Sequence, residues 1–322
     1  MAIDLSVELG PLRLAAPVVA AAGTFGYGTE FREAFDVRRL GAIITKTVTA
    51  APRAGNQPPR LVETPAGMLN AVGLQNVGLE AFVTEKLPTL ASLGVPIIAS
   101  VLAESPEELA TMVARVEASP AVAAVELNLS CPNIKWKPGA AVSAVRSPMV
   151  AQDAEATTRM VQAARAQTRK PLLAKLSPDV TDAVPIAEAA MGAGADILTL
   201  VNTFTGMSID PHTRRSRLGS LTGGLSGPAI RPLAVYRVWR VYQALRCPIL
   251  GLGGILDAED AVEFLLAGAG AVAVGTASFA DPTATVRVID GLGRYAREHG
   301  VDRLSRLVGA LEQDAPPAVP VG

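Results

Sequence analysis

The stretch Glu126-Leu127-Asn128-Leu129-Ser130-Cys131-Pro132-Asn133 sets a thiol among amides directly after an apolar run. A cysteine's ordinary pKa of about 8.5 is within reach of neutral pH, so Cys131 could serve as nucleophile or general base. The plain alternative is a small buried apolar residue, but its position and amide neighbours favour chemistry. Two lysines end other apolar runs, Lys46 in Ile44-Thr45-Lys46-Thr47 and Lys175 in Leu173-Ala174-Lys175-Leu176. An ammonium there is costly to bury without an anionic partner. Schiff-base chemistry is one use, electrostatic support of an anionic cofactor or substrate another. Lysines snorkelling from strand ends are the bland reading, weaker for two together.

Glycines mark a second function. Gly251-Leu252-Gly253-Gly254 and Gly275-Thr276 close two late apolar runs, and glycine lets backbone N–H groups approach a phosphate closely. Asn70, within Met68-Leu69-Asn70-Ala71-Val72-Gly73-Leu74-Gln75-Asn76, joins Asn128, Asn133 and Asn202-Thr203 as candidates to read a planar ligand. No carboxylate pair or Ser-His-Asp set stands beside them, so redox or proton-transfer chemistry suits the inventory better than hydrolysis.

These residues need a scaffold that brings strand ends together. Eight short runs rich in Val, Ile, Leu and Ala recur at 17–22, 42–46, 96–101, 124–129, 171–176, 196–201, 248–252 and 271–275. Nearly continuous apolar runs of this length are expected of parallel strands buried on both faces. Helical stretches separate many of them. Ser105-Pro106-Glu107-Glu108 opens one with a capping serine and early acids, and Asp257-Ala258-Glu259-Asp260 opens another that should stop near Gly268. Residues 152–169, 181–191 and 228–245 also read as helices.

Eight strands with intervening helices predict an α/β fold, a (β/α)8 TIM barrel with long βα loops over the C-terminal face. An open doubly wound sheet competes, but no Gly-x-Gly-x-x-Gly follows the first run. No low-complexity linker divides the chain, so residues 1–322 are expected to form one barrel domain. Strands seven and eight of such barrels commonly hold a phosphate, and here they carry the two glycine clusters. Three loops after strands are long, at about residues 50–77, 130–150 and 202–228, and the chemistry-bearing residues fall in or beside them.

Composition narrows the class. The 322 residues carry 29 Lys+Arg against 30 Asp+Glu, a net charge of −1 with no basic block, which removes the footprint of a nucleic-acid binder. Hydrophobic residues at 49% and charged residues at 18% exclude disorder, while 4% aromatics leave the core to aliphatic side chains. Cys131 and Cys247 cannot staple such a chain, and a reducing compartment follows. Cys247 precedes a strand and belongs to the structural end of the barrel. His212 and His299 lie in no metal motif, so no metal is expected. The start carries acids where a signal peptide needs bases. The longest uncharged runs, 14–29 and 264–280, are too short and glycine-broken to span a membrane. The expected location is cytoplasmic.

At these residues the sequence resembles the dihydroorotate dehydrogenases, flavin-dependent enzymes of pyrimidine synthesis. The likeness spans nearly the whole chain, through Gly23-Thr24-Phe25-Gly26-Tyr27-Gly28, Thr45-Lys46-Thr47, residues 70–76, Asn128 to Asn133 and Val201-Asn202-Thr203. It continues in Thr222-Gly223-Gly224-Leu225-Ser226-Gly227-Pro228-Ala229-Ile230, Gly253-Gly254 and Gly275-Thr276. It looks most like the NAD-linked, class 1 type B catalytic subunit: the soluble fumarate-reducing type resembles it less in residues 23–28 and 70–76, and the base position is Cys131. Membrane-bound, quinone-reducing members use serine there.

The resemblance implies oxidation of (S)-dihydroorotate to orotate, with FMN over the barrel mouth. Its phosphate would lie on Gly253, Gly254, Gly275 and Thr276. Ala22, Lys46, Thr47, Ser100, Asn128, Lys175, Val201 and Gly227 would line the flavin. The substrate would meet Lys46, Asn70, Ala71, Val72, Gly73, Leu74, Asn128, Asn202 and Thr203. Cys131 would take the C5 proton while hydride leaves C6 for the flavin. A separate electron-transfer subunit would carry FAD and a [2Fe–2S] cluster, since this chain lacks cysteines for one. The implied assembly is a homodimer of barrels at the core of a heterotetramer. Related readings are a flavin barrel acting on another dihydropyrimidine and a fumarate-linked dihydroorotate dehydrogenase. The chain departs from the family at Ser100, often asparagine, at Ala22, often serine, and in Ile134-Lys135-Trp136-Lys137-Pro138-Gly139, usually richer in glycine.

Overall fold

The computed structural model describes residues 3–130 and 149–312. Each of the eight apolar runs coincides with a strand: β1 (Val18–Ala20), β2 (Ala42–Ile44), β3 (Ile97–Val101), β4 (Val122–Asn128, which begins two residues before its run), β5 (Leu172–Lys175), β6 (Ile197–Leu200), β7 (Ile249–Leu252) and β8 (Ala271–Val274). They pair in parallel in chain order, and β8 closes on β1 through Val272↔Val18 and Val274↔Ala20. The expected (β/α)8 barrel is therefore observed.

Strand alternation sorts the side chains. Ala42, Ile44, Ile98, Ala124, Leu173, Ile197, Leu250, Ala271 and Ala273 form an inner cluster. Val18, Ile43, Ile97, Val125, Leu172, Leu198, Ile249 and Val272 pack outward in the cluster shared with the helices. Alanine at several inner positions lets the barrel close without aromatic side chains.

An element absent from the sequence reading seals the bottom. Val7–Leu9 and Leu12–Leu14 form an antiparallel hairpin that buries Val7, Leu9, Leu12 and Leu14 in the inner cluster. Its turn residue Gly10 has φ +57° and lies against Pro248 and Asp196, which precede β7 and β6. The barrel's first strand thus begins at Val18, within the run expected at 17–22, and residues 7–14 are its plug.

The helices follow their caps. In α1 (Pro106–Glu117) the Ser105 hydroxyl accepts from Glu108 N at 3.2 Å. Helix α2 (Ala154–Arg165) starts after the predicted 152 because the Asp153 carboxylate caps it, accepting from Ala156 N at 2.8 Å. Helix α3 spans Val184–Gly192, and α4 spans Arg231–Leu245 after a 3-10 turn at Pro228–Ile230. A reciprocal Asp257/Asp260 box opens α5 (Ala258–Ala267), which ends at Gly268 with φ +120°. Helix α6 covers Ala284–Glu298, and a further helical stretch over residues 79–91 joins β2 to β3.

Two of the long loops build one structure. Phe204–Gly206, Gly223–Ser226, Gly67–Asn70 and Leu61–Thr64 form a four-stranded antiparallel sheet in that order. Gly67 approaches Ser226 so closely that a Cβ there would lie 2.1 Å from the Ser226 oxygen. Leu69, Ala71 and Leu218 give the sheet its own small core. Most of the third loop, residues 131–148, lies outside the described residues. No helix among the described residues is long and apolar enough to cross a membrane.

Candidate active site

The strand ends and the loop sheet border a large cleft with about 1110 Å³ of empty space, its opening to solvent included. Ala22 follows β1; Lys46 and Thr47 follow β2; Asn128 ends β4; Lys175 ends β5; Val201, Asn202 and Thr203 follow β6; Gly253 and Gly254 follow β7; Gly275 and Thr276 follow β8. All of them line the cleft. The loop sheet and its continuations add Asn70, Val72, Gly73, Leu74 and Gly227.

Two expected residues are not among those that line the cleft. Ser100 is fully buried inside β3, below the mouth, where its hydroxyl is engaged by Thr47 and Glu126. Ala71 alternates away from Asn70 and packs into the loop sheet's core, 1% exposed. Cys131, the expected base, lies outside the described residues. Its neighbour Ser130 accepts from Asn202 Nδ2 through both its carbonyl oxygen (2.9 Å) and its Oγ (3.0 Å).

Electrostatics give the cleft a sign. Lys46 and Lys175 are the charged side chains among its described lining residues. Lys175 is 5% exposed, and no hydrogen-bond acceptor or carboxylate partners it among the described residues. The Lys175 stem is buried and the side chain lines the cleft, where an anionic ligand would supply the missing counter-charge. The chemistry that fits is an anion against Lys175.

The glycines divide into two kinds. Gly254, at φ +82°, would place a Cβ 2.7 Å from the Gly227 oxygen, so the backbone itself demands glycine. At Gly275 a Cβ would meet nothing nearer than Ala21 Cβ at 3.5 Å. No internal packing requires that glycine, and the space a Cβ would fill belongs to the cleft, as a close-approaching phosphate needs. Thr276 Oγ1 donates to Ser226 Oγ at 2.8 Å, tying β8 to the loop sheet.

Several contributors were not singled out from sequence. Thr24, Met68, Ser226 and Phe279 also line the cleft. Asn76 was visible only as the end of a motif. Its Oδ1 accepts from Thr49 N at 3.2 Å and Gly78 N at 2.8 Å, and its Nδ2 donates to Leu74 O at 2.7 Å. Those bonds hold Leu74 at φ +54°, a left-handed conformation disfavoured for leucine. At the other end of the barrel, burial pushes the Cys247 thiol up to about 11, which keeps it protonated and unreactive.

Known proteins agree with this geometry. The family model described as dihydroorotate dehydrogenase matches residues 4–295. A protein of Pelobacter propionicus named dihydroorotate dehydrogenase B (NAD(+)), catalytic subunit, is 50% identical over 96% of this chain and 99% of its own length. Proteins of the same name from Trichlorobacter lovleyi (50% identical, 96% of this chain and 98% of that protein) and Desulforudis audaxviator (48%, 97% and 99%) are similar along their whole lengths. On that near-complete match, this chain is an oxidoreductase belonging to the dihydroorotate dehydrogenase family.

Proposed function

We propose that this chain oxidises dihydroorotate to orotate on an FMN held in the cleft, as the catalytic half of an NAD-linked enzyme. The observation that carries the reading is the buried, unpartnered Lys175 at the end of β5, facing a cleft whose described lining holds no acid. A flavin phosphate suits the glycine ends of β7 and β8, and the electron-rich edge of a reduced flavin suits Lys175. FMN would supply the two-electron acceptor.

This chain's own residues do the rest. Asn70, Asn128, Asn202 and Thr203 offer amide and hydroxyl groups to the planar ring and its carboxylate, and Lys46 adds positive charge. The Asn202 amide is fixed by Ser130, so the segment leading to Cys131 is tied to the β6 end. The thiolate of Cys131 takes the proton from substrate C5, and the loop sheet above excludes water. A partner polypeptide would carry the FAD and [2Fe–2S] cluster that take electrons onward, consistent with relatives named catalytic subunits.

The test is turnover by FMN-loaded protein with an artificial electron acceptor. Dihydroorotate should be oxidised and dihydrouracil, which lacks the ring carboxylate, should not. Equal rates with both would remove dihydroorotate as the substrate.

A further inference from the structure

A line of four side chains runs from the cleft into the barrel interior. Asn128 Nδ2 donates to Thr47 Oγ1 at 3.1 Å, Thr47 Oγ1 lies 2.9 Å from Ser100 Oγ, and Ser100 Oγ donates to Glu126 Oε1 at 3.1 Å. Ser100 and Glu126 face each other across β3 and β4, both fully buried. The other carboxylate oxygen, Glu126 Oε2, is buried with no hydrogen-bond partner among the described residues. A buried carboxylate so poorly compensated is costly, and no step of the proposed reaction touches it.

The line has a direction. With Glu126 ionised both of its oxygens only accept, so the one Ser100 proton goes to it. Ser100 Oγ must then accept from Thr47, and Thr47 Oγ1, its own proton committed, accepts from the Asn128 NH2. An asparagine amide turned end for end has nearly the same shape, so its hydrogen-bond partners decide which atom faces where. The Ser130 N–H, which can only donate, lies 3.4 Å from Asn128 Oδ1 and agrees with the same orientation. Asn202 Nδ2 reaches that oxygen only at 3.5 Å. Both donors are long, leaving Oδ1 able to accept from a ligand.

We propose that Glu126 and Ser100 are positioning residues: through Thr47 they hold the Asn128 amide with its NH2 towards the barrel and its oxygen towards the cleft, where it accepts from a ring N–H of the bound pyrimidine. The proposal rests on the function proposed above. It gives Ser100 a task the sequence did not suggest, directing a neighbour's amide rather than touching the flavin. Losing the Ser100 hydroxyl frees Thr47 to donate to the Asn128 oxygen, which favours the inverted amide and presents a donor where the ligand needs an acceptor.

The experiment is calorimetric titration of the FMN-loaded protein with orotate, alongside steady-state kinetics with dihydroorotate, for wild type, Ser100→Ala, Glu126→Gln and the double variant. Ser100→Ala should raise the orotate Kd about three- to tenfold, the loss of one oriented hydrogen bond, and raise KM more than it lowers kcat. Glu126→Gln permits either direction of the line and should raise the Kd about twofold, and it carries the test if Ser100→Ala fails to fold. The double variant should bind orotate no more weakly than Ser100→Ala alone, because the line is already cut. Variants that bind orotate like wild type, or losses that multiply in the double variant, overturn the assignment. A wild-type protein that holds FMN yet binds no orotate overturns the proposed function itself.

Discussion

Lys175→Met separates what the fold wants from what the cleft wants. The side chain is 5% exposed at the end of β5, and no acid or acceptor partners its ammonium among the described residues. In the flavin-free protein this charge is a liability, and methionine has a similar length without it. Removing a largely enclosed charge that has no counter-ion relieves part of its desolvation cost, on the order of 1–3 kcal/mol. For a domain of this size that should raise the flavin-free Tm by about 2–10 °C. In the loaded protein the same change deletes a charge-assisted hydrogen bond worth about 1.5–3 kcal/mol, so the FMN Kd should rise roughly 10- to 150-fold. Scanning calorimetry of flavin-stripped protein measures the first effect, and fluorescence titration with FMN the second. Stability and affinity should move in opposite directions. A variant that melts lower without flavin, or binds FMN as tightly as wild type, refutes the argument that Lys175 waits for an anion.

Other perturbations probe the remaining groups. Cys131→Ala should retain FMN but slow its reduction by dihydroorotate by about 10²-fold or more, as expected for a lost general base; near-normal stopped-flow rates would remove that role. Gly275→Ala should leave the flavin-free Tm within a few degrees, since its Cβ would sit 3.5 Å from Ala21, yet weaken FMN by on the order of tenfold. Gly254→Ala, at φ +82° and 2.7 Å from the Gly227 oxygen, should lower the Tm as well; equal behaviour of the two variants would contradict the distinction. Iodoacetamide at pH 8 should leave Cys247 unmodified in the folded protein, with mass spectrometry of peptides as the readout, because burial raises its thiol to about 11. The folded thiol holds its proton longer than an unfolded one does. Its contribution to stability is therefore complete below about pH 9 and lost as pH rises towards 11.

The barrel was legible in the sequence because strands buried on both faces leave uninterrupted apolar runs, and all eight runs overlap the strands observed. Helix starts at Ser105 and Asp257 were readable because capping is local. The hairpin over residues 7–14 was missed because its strands of three residues each are too short for alternation to register. The loop sheet was hidden for a different reason. Gly67–Asn70 pairs with Gly223–Ser226, far away in sequence, and glycines carry no hydrophobic pattern. At the site, position along a strand identified Lys46, Asn128 and Lys175, since strand ends face the mouth. Depth was not readable in the same way. Ser100 sits inside β3 rather than beyond it, and only the three-dimensional partners show that its hydroxyl serves Thr47 and Glu126. Ala71 packs into the loop sheet because one step from Asn70 reverses the face.

The most direct measurement is an anaerobic absorbance titration of the purified protein with dihydroorotate, after the released flavin has been identified. The account predicts FMN, bleached in proportion to added dihydroorotate until one equivalent per site is consumed. Bound FMN that stays oxidised in excess dihydroorotate, or a protein that holds no flavin, would contradict it.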